Sequence, residues 1–162
     1  HSTVNEFLKI ADNKNNSRYQ IKQDFNGNKL SKYFLKWGYN PLVKILGLKG
    51  CSPNVIRISK SKWSFDYHYD CNNLLLVQLI GSRTVYLRHG KHGKPTKHII
   101  NAGDILYIPI GVYHRVESGE GLNVNFNIEL NDISDEEFDK CNKNFNKDFK
   151  IQSYKCETNN CI

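Results

Sequence analysis

The chain has 162 residues, of which 39% are hydrophobic, and this is enough for one domain with its own core. Its net charge is +7, but the lysines and arginines are spread along the chain, so charge alone does not identify nucleic acid as a partner. No apolar run approaches the roughly 20 residues of a membrane helix, and no CxxC pair is present for a zinc ribbon.

The cysteines and the missing methionine bear on the environment of the protein and on the start of its natural chain. The sequence contains five cysteines. This odd number argues against a complete disulfide framework and is typical of reduced thiols. We therefore expect a cytoplasmic protein, and the pairing of Cys141, Cys156 and Cys161 is left open. Because the sequence contains no methionine, we expect the natural chain to begin before His1.

Residues 1–53 are predicted to form an N-terminal support region of helices and irregular segments. The run TVNEFLKIADN, residues 3–13, predicts a short helix. A polar, turn-rich segment follows it. The run LSKYFLKWGYNPLVKILG, residues 30–47, predicts a second helix that ends at Gly38 or before Pro41.

Residues 54–130 differ in character and predict a β-barrel. Short runs rich in β-branched and aromatic residues follow one another, separated by Gly, Pro, Asn and Asp, and this spacing is typical of a sandwich or barrel. The eight runs are NVIRIS, SFDYHYD, LLLVQLI, RTVYLRH, KHIIN, DILYIPI, VYHRVES and LNVNFNIEL. We therefore predict a mainly β fold with flanking N-terminal and C-terminal helices.

Residues 131–162 are predicted to form a C-terminal helix and a tail. Ser134 and Glu137 make an S-x-x-E capping box, which marks a helix start, so we expect a helix over residues 134–146. We expect Ile133, Phe138 and Phe145 to pack against the barrel or against a second copy of the chain.

One run of the predicted barrel carries an imidazole and a carboxylate on the same face. Because side chains alternate across a strand, His68 and Asp70 project to one side, where they can chelate one divalent ion. A third ligand has to come from another strand, and His114 offers it. Two histidines and one carboxylate on one face of a metal are the facial triad of non-haem Fe(II) oxygenases.

Two motifs give these residues a family resemblance. The segment from Gly103 to Ser118 resembles the second cupin motif, G-x5-P-x-G-x2-H-x3-N, with Ser118 at the final Asn position. Over roughly residues 63 to 130 the chain resembles the JmjC-type cupin Fe(II)/2-oxoglutarate-dependent oxygenases, a class that includes factor inhibiting HIF and related protein hydroxylases. The matched positions are His68, Asp70, Gln78, Gly81, Arg83, Gly103, Asp104, Leu106 to Pro109, His114, Glu117, Ser118 and Val124 to Phe126.

The resemblance implies a double-stranded β-helix, that is, a cupin-like jelly roll, and an enzyme that hydroxylates a C–H bond on a protein or peptide side chain. His68, Asp70 and His114 would hold Fe(II). Arg83 stands where the family has the Lys that binds the distal carboxylate of the co-substrate 2-oxoglutarate, and Asn125 matches a late polar contact of the family. A tRNA is the alternative substrate, and the family often forms a homodimer through the helices after the barrel, here the C-terminal helix.

Departures from the family pattern keep other functions open. Phe65 and Leu74 stand where the family has a Thr and an Asn, and their apolar side chains favour a metal cupin that acts on a small molecule without 2-oxoglutarate. The short N-terminal region favours a non-catalytic metal-binding module. The orientation of Asn123, Asn125 and Asn127, which share one strand face, also stays open: an inward orientation would be costly unless these amides are hydrogen-bonded.

Overall fold

The computed structural model describes residues 18–22, 32, 34–59, 62 and 64–148. The predicted helix over residues 3–13, the C-terminal tail, Cys156 and Cys161 lie outside these residues. The elements in chain order are β1 (Arg18–Lys22), a π-helical turn (Leu35–Tyr39), α1 (Asn40–Ile45), β2 (Cys51–Ser59), β3 (Asn73–Ile80), β4 (Ser82–Arg88), β5 (Thr96–Asn101), β6 (Ile105–Ile108), β7 (Tyr113–Ser118), β8 (Asn123–Leu130) and α2 (Asp135–Asp148).

The strands form two antiparallel sheets whose inner faces meet. The larger sheet has the order β1-β2-β8-β3-β6, and the smaller sheet has the order β5-β4-β7. Single bridges pair Ser64 with Glu117 and His68 with His114, so the segment before β3 extends the smaller sheet beyond β7. The predicted double-stranded β-helix with helices before and after it is confirmed. The division into residues 1–53, 54–130 and 131–162 stays a prediction.

Two strands differ from the sequence prediction. Strand β1 pairs with β2 along its whole length, although its surroundings in sequence are polar and turn-rich. A free sheet edge, rather than its own pattern, makes this segment a strand. The predicted strand over residues 64–70 is reduced to two bridges. Between them the Asp66 carbonyl oxygen accepts a hydrogen bond from Nδ1 of the His68 ring at 2.8 Å.

The outer face of the larger sheet is apolar because helical segments cover it. Buried residues of β2, β3 and β8 pack there against partly buried residues from the segment before β2. The buried residues are Tyr39, Ile56, Ile58, Val77, Phe126 and Ile128, and those packed on them include Phe34, Leu35, Leu42 and Val43. This cluster forms one of the two hydrophobic cores in the described part of the chain.

The helical segment before β2 does not end where the sequence predicts. It runs through Gly38 as a π-helical turn and continues into α1, so the predicted stop at Gly38 or before Pro41 is wrong. Pro41 lies in the first turn of α1, directly after the π-helical turn, so the proline does not end the helical segment.

The space between the two sheets is apolar in one part and polar in another. The apolar cluster consists of Leu74, Leu76, Val85, Ile100, Ile108, Val112 and Val116. The buried polar residues are Ser59, Gln78, Arg83, His114, Ser118, Asn123, Asn125 and Asn127. The three asparagines of β8 therefore face inward. Asn123 is well bonded, since it donates to the Gly119 and Gly121 carbonyls at 3.1 and 3.2 Å and accepts from Gln78 at 3.2 Å.

Gly81 carries the chain from the larger sheet into the smaller one. Its φ of 75° lies in the left-handed region. A Cβ at this position would come within 2.5 Å of the Leu122 carbonyl oxygen and 2.7 Å of Oδ1 of Asn123. Glycine is therefore required both by conformation and by space. The turn places Arg83, two residues later, on the inner face of β4.

Helix α2 begins at the predicted capping box. The Ser134 hydroxyl accepts a hydrogen bond from the Glu137 N–H at 3.3 Å, and the Glu137 carboxylate accepts one from the Ser134 N–H at 3.0 Å. These reciprocal bonds satisfy donors that a helix start otherwise leaves open.

The apolar residues of α2 have different environments. Phe145 packs edge-on against Tyr69 of the barrel, with ring centroids 5.4 Å apart, and this part of the prediction is confirmed. Phe138 is 40% exposed, so packing against the barrel does not bury its side chain. No helix in the described ranges is long and apolar enough to span a bilayer. The described cysteines Cys51, Cys71 and Cys141 carry free thiols.

Candidate functional site

Antiparallel pairing brings the two motif segments together. His68 and His114 each donate a backbone N–H to the carbonyl oxygen of the other, at 3.1 and 2.7 Å. The Gly111 N–H donates to the Asp70 carbonyl oxygen at 3.1 Å, and the φ of Gly111 is 73°. The Gly-x2-His spacing of the second motif thus sets His114 opposite His68 and holds Asp70 beside both.

The three predicted ligand residues converge. One ligand atom from each of His68, Asp70 and His114 lies within 4.8 Å of the others. Nε2 of His114 is 3.4 Å from Oδ2 of Asp70, and the two imidazole centroids are 4.3 Å apart. Two ligands at right angles and about 2.1 Å from one ion would lie about 3 Å apart, so this spacing is close to a coordination shell.

Backbone contacts orient both imidazoles for metal binding. Nδ1 of His68 bonds the Asp66 carbonyl oxygen at 2.8 Å, and Nδ1 of His114 bonds the Val112 carbonyl oxygen at 3.1 Å. A carbonyl oxygen only accepts, so Nδ1 carries the proton in each ring and Nε2 keeps its lone pair. This is the common arrangement of metal-ligating histidines, whose second nitrogen donates to the surrounding protein.

The electrostatics of the cluster fit a cation. Burial, and after it the charge of His68, lowers the pKa of His114 below its ordinary value of 6.5. The imidazole is therefore neutral at neutral pH, and its Nε2 lone pair faces a carboxylate oxygen. That contact is repulsive unless a proton or a metal ion lies between the two atoms. The donor set and its charges thus fit a divalent metal ion.

The cluster lies at the rim of the barrel and is accessible from one side. The Asp70 side chain is 39% exposed, whereas His114 is buried. Glu129, on the inward row of β8, is close enough to Asp70 that the charge of Asp70, after burial, raises the pKa of Glu129. Carboxylates therefore lie at this rim, and cationic groups lie deeper in the barrel.

Arg83 and Asn125 contact one another deep in the barrel. Arg83, from the smaller sheet, is 2% exposed and donates from Nη2 to Oδ1 of Asn125 on the larger sheet. Burial, and after it the charge of Arg57, lowers the pKa of Arg83 to about 9. The guanidinium is thus charged at neutral pH. Both residues predicted to bind the co-substrate face the interior, but a co-substrate role for either stays a prediction.

Arg57 is an interior residue that the sequence reasoning missed. It pairs in register with Asn125, and paired residues of neighbouring strands share a face, so Arg57 also faces inward. Its guanidinium lies over the Phe65 ring at 5.2 Å, and the Phe65 ring is 5.8 Å from that of His68. The run NVIRIS contained the signal, because its isoleucines take the outer face and direct the arginine inward.

His89, His92 and His98 lie outside the cluster, and Leu74, one of the departures from the family, lies in the core. His89 and His92 are exposed in the loop between β4 and β5, and His98 contacts the Thr96 hydroxyl at 3.1 Å. Leu74 is buried in the apolar part of the interior. Leu74 therefore contributes to the hydrophobic core rather than to a polar pocket wall.

Partial similarity to known proteins is found among solved structures, several of which are described as cupin proteins. No protein-family model matches the sequence, and no curated protein is significantly similar to it. The cupin domain of Drosophila melanogaster CENP-C is 16% identical with a TM-score of 0.43, and the match covers 46% of this chain and 58% of that one. A cupin superfamily protein from Desulfitobacterium hafniense is 11% identical with a TM-score of 0.47, covering 72% and 80% of the two chains. Oxalate decarboxylase from Lactobacillus farciminis is 18% identical with a TM-score of 0.43, covering 52% and 25%.

These matches span only part of the neighbours. This chain corresponds to 58% of the CENP-C cupin chain, and identities and TM-scores this low carry no argument about activity. None of these three proteins is described as a JmjC-type oxygenase. The resemblance to that family therefore stays a prediction.

Proposed function

We propose that this protein is an Fe(II)- and 2-oxoglutarate-dependent oxygenase that hydroxylates a C–H bond, with a protein or peptide side chain as substrate. The observation that carries the proposal is the convergence of His68, Asp70 and His114, with ligand atoms within 4.8 Å of one another and both histidines held through Nδ1. Two imidazoles and one carboxylate form the donor set of the facial triad and leave coordination positions open.

In this proposal Fe(II) and 2-oxoglutarate supply the reduction of O₂: substrate, O₂ and 2-oxoglutarate give hydroxylated substrate, succinate and CO₂. The chain supplies position and environment. The backbone bridge between His68 and His114 sets the ligand spacing, and the exposed edge of Asp70 leaves the rim accessible to a substrate. The apolar interior around Leu74 and Val116 excludes water.

Arg83 has the proposed role of binding the distal carboxylate of 2-oxoglutarate. A guanidinium offers two parallel donors to a carboxylate, and inside a protein this charge-assisted contact is strong. The hydrogen bond to Asn125 fixes the direction of the Arg83 side chain. Asn125 has the proposed role of a positioning and binding residue at the same end.

The partner assignments rest on the family resemblance. A protein or peptide is the proposed substrate, a tRNA is the alternative, and a homodimer through α2 is proposed. The exposure of Phe138, at 40%, leaves an apolar side chain on α2 available to a second copy. Size-exclusion chromatography with light scattering on the wild type and on Phe138→Asp tests the dimer, which the substitution should dissociate.

Succinate formation tests the function most directly. The protein is incubated with Fe(II), ascorbate and 2-oxoglutarate, with and without a peptide library, and succinate is measured. We expect succinate from the wild type and its stimulation by the true substrate. Asp70→Ala should form none, and His89→Ala, which changes a histidine outside the cluster, should match the wild type. Equal succinate from Asp70→Ala and the wild type would contradict the proposal.

Substitution of Arg83 tests the co-substrate assignment separately. A charge-assisted hydrogen bond contributes about 1.5–3 kcal/mol, so Arg83→Gln should raise the KM for 2-oxoglutarate by about ten- to hundredfold. Arg83→Lys should retain part of the affinity because it keeps the charge. Metal content should be unchanged in both variants, because Arg83 is not a ligand. Identical KM values in all three proteins would remove Arg83 from the co-substrate site.

A second function is favoured by one observation. Leu74 is fully buried among apolar residues at a position where the resembled family has a polar contact to 2-oxoglutarate. This favours a metal cupin that acts on a small molecule without 2-oxoglutarate. That function becomes the better conclusion if the metal-loaded protein binds no 2-oxoglutarate.

A further inference from the structure

Two arginine side chains face the interior of the barrel. Arg57 on β2 and Arg83 on β4 come from opposite sheets, and both meet at Asn125: Arg57 as its partner in register and Arg83 through a hydrogen bond. Arg57 is close enough to Arg83 to contribute, after burial, to the lowering of the pKa of Arg83. Two like charges that interact in a poorly solvated interior are costly, and an anion placed between them removes that cost.

A buried donor beside the two arginines also indicates an anion. Asn125 is 0% exposed, and its Oδ1 faces Arg83, which can only donate, so its amide orientation is determined. Its Nδ2 group is then a buried donor, and among the described residues it has no hydrogen-bond partner. Buried donors in native proteins are nearly always bonded, so this one is suited to an acceptor atom from a ligand.

The position of Arg57 relates this group of donors to the metal cluster. Its guanidinium stacks on Phe65, which in turn contacts the His68 ring, with centroids 5.8 Å apart. The charge of Arg57 is also one of those acting on His114. Arg57 therefore lies between the ligand residues at the rim and Arg83 deeper in the barrel, where it can contact a ligand that reaches from one to the other.

We propose that Arg57, Arg83 and Nδ2 of Asn125 form an interior anion site that takes a carboxylate, and that Arg57 acts together with Arg83 in selecting a dicarboxylate over a monocarboxylate. The identity of the dicarboxylate as 2-oxoglutarate rests on the proposed function. The anion site itself does not, because it is formed by residues outside the metal cluster.

Binding of three probes to the full 162-residue chain tests this inference. The probes are 2-oxoglutarate, 2-oxobutyrate, which lacks the far carboxylate, and glutarate, which lacks the 2-oxo group. Dissociation constants are measured calorimetrically without O₂ and with Mn(II), and for glutarate also without metal. We expect the wild type to prefer 2-oxoglutarate over 2-oxobutyrate at least tenfold. Arg57→Gln should reduce that preference about tenfold with the affinity for 2-oxobutyrate retained, and Arg57→Lys should retain part of the preference.

Arg88→Gln is the matched control, because Arg88 lies on the same strand as Arg83 but on the outer face, with its guanidinium 3.8 Å from the centre of the Tyr67 ring. It should leave all three affinities unchanged. An unchanged preference in Arg57→Gln, or an equal loss in Arg88→Gln, would overturn the inference. If Arg57→Gln does not fold, full wild-type preference in Arg57→Lys overturns it equally.

The outcomes also separate this site from the proposed function. If the wild type forms no succinate from 2-oxoglutarate but binds glutarate without metal, and Arg57→Gln weakens that binding, the anion site stands and the oxygenase assignment fails. If the wild type binds none of the three probes, the anion site is wrong.

Discussion

The two faces of strand β8 are both covered by protein, yet they differ in chemistry. The outward residues are Val124, Phe126 and Ile128, and the inward residues are Asn123, Asn125 and Asn127. The outward residues pack in a hydrophobic core beneath the helical segment, whereas the inward residues face Arg57, Gln78 and Arg83. Strand β8 thus contributes to a hydrophobic core on its outer face and presents hydrogen-bonding groups on its inner face.

Along β8 this division reverses the usual arrangement of two packed sheets, whose inner faces form an apolar core, whereas the neighbouring strand β3 keeps Leu74 and Leu76 in the apolar part of the interior. In the described part of the chain, Nδ2 of Asn125 and Oδ1 of Asn127 are buried without a hydrogen-bond partner. Each such group costs about 1–3 kcal/mol. The hydrophobic core on the other face of the sheet offsets the cost of these buried polar groups. The interior of the barrel is therefore suited to a polar ligand.

The largest expected effect is on the outer face. Phe126 is 1% exposed and stacks edge-on against Phe34 with ring centroids 4.7 Å apart. Phe126→Ala should lower the free energy of unfolding by about 3–5 kcal/mol, since large-to-small core substitutions leave a cavity. Urea denaturation followed by circular dichroism measures this. A loss below about 1 kcal/mol would show that the outer face is not the main core.

Removal of the anionic ligand at the rim should affect binding rather than stability. Asp70→Ala should weaken Mn(II) or Fe(II) binding by at least about a hundredfold, because even residues that only support a ligand cost 10- to 100-fold. The urea midpoint of the metal-free protein should change little, since the Asp70 side chain is 39% exposed. His89→Ala is the control, and retention of metal by Asp70→Ala would contradict the ligand assignment.

The inner face next to Phe126 should tolerate an apolar residue. Asn127→Leu replaces an amide whose Oδ1 is buried without a hydrogen bond, so the free energy of unfolding should change by less than about 1 kcal/mol or increase. The same urea measurement compares it with Phe126→Ala, one residue away. A loss above about 2 kcal/mol in Asn127→Leu would mean that both faces contribute to stability alike.

The smallest expected effect lies outside both faces of β8, in the capping box of α2. Hydrogen bonds from the Ser134 backbone, and then from its side chain, lower the pKa of Glu137 below its ordinary value of 4.5. The charged form therefore stabilises the helix start above pH 4.5, and this contribution is lost as the pH falls through the lowered pKa. Amide exchange of the first turn should rise in that range, and Ser134→Ala should raise the pKa of Glu137 without changing the exchange of β8.

Local patterns predicted much of this molecule. Alternation and turn residues located strands β2 to β8, and the S-x-x-E spacing located the start of α2. The motif spacing brought His68, Asp70 and His114 into one proposal, and the structure places them together because Gly111 and the His68–His114 pair bring their segments into contact. These features depend on neighbours in sequence or on one short turn, so they are readable from the chain alone.

Tertiary contacts decided the rest. Strand β1 exists because β2 has a free edge, and the helical segment passes Gly38 because its apolar side chains pack on the sheet. The sequence by itself determined that Asn123, Asn125 and Asn127 share one face and that Arg57 lies opposite the isoleucines of its strand. Only the tertiary structure decided that these polar faces point inward, because a helix covers the apolar face of the larger sheet and leaves the polar face to meet the smaller sheet.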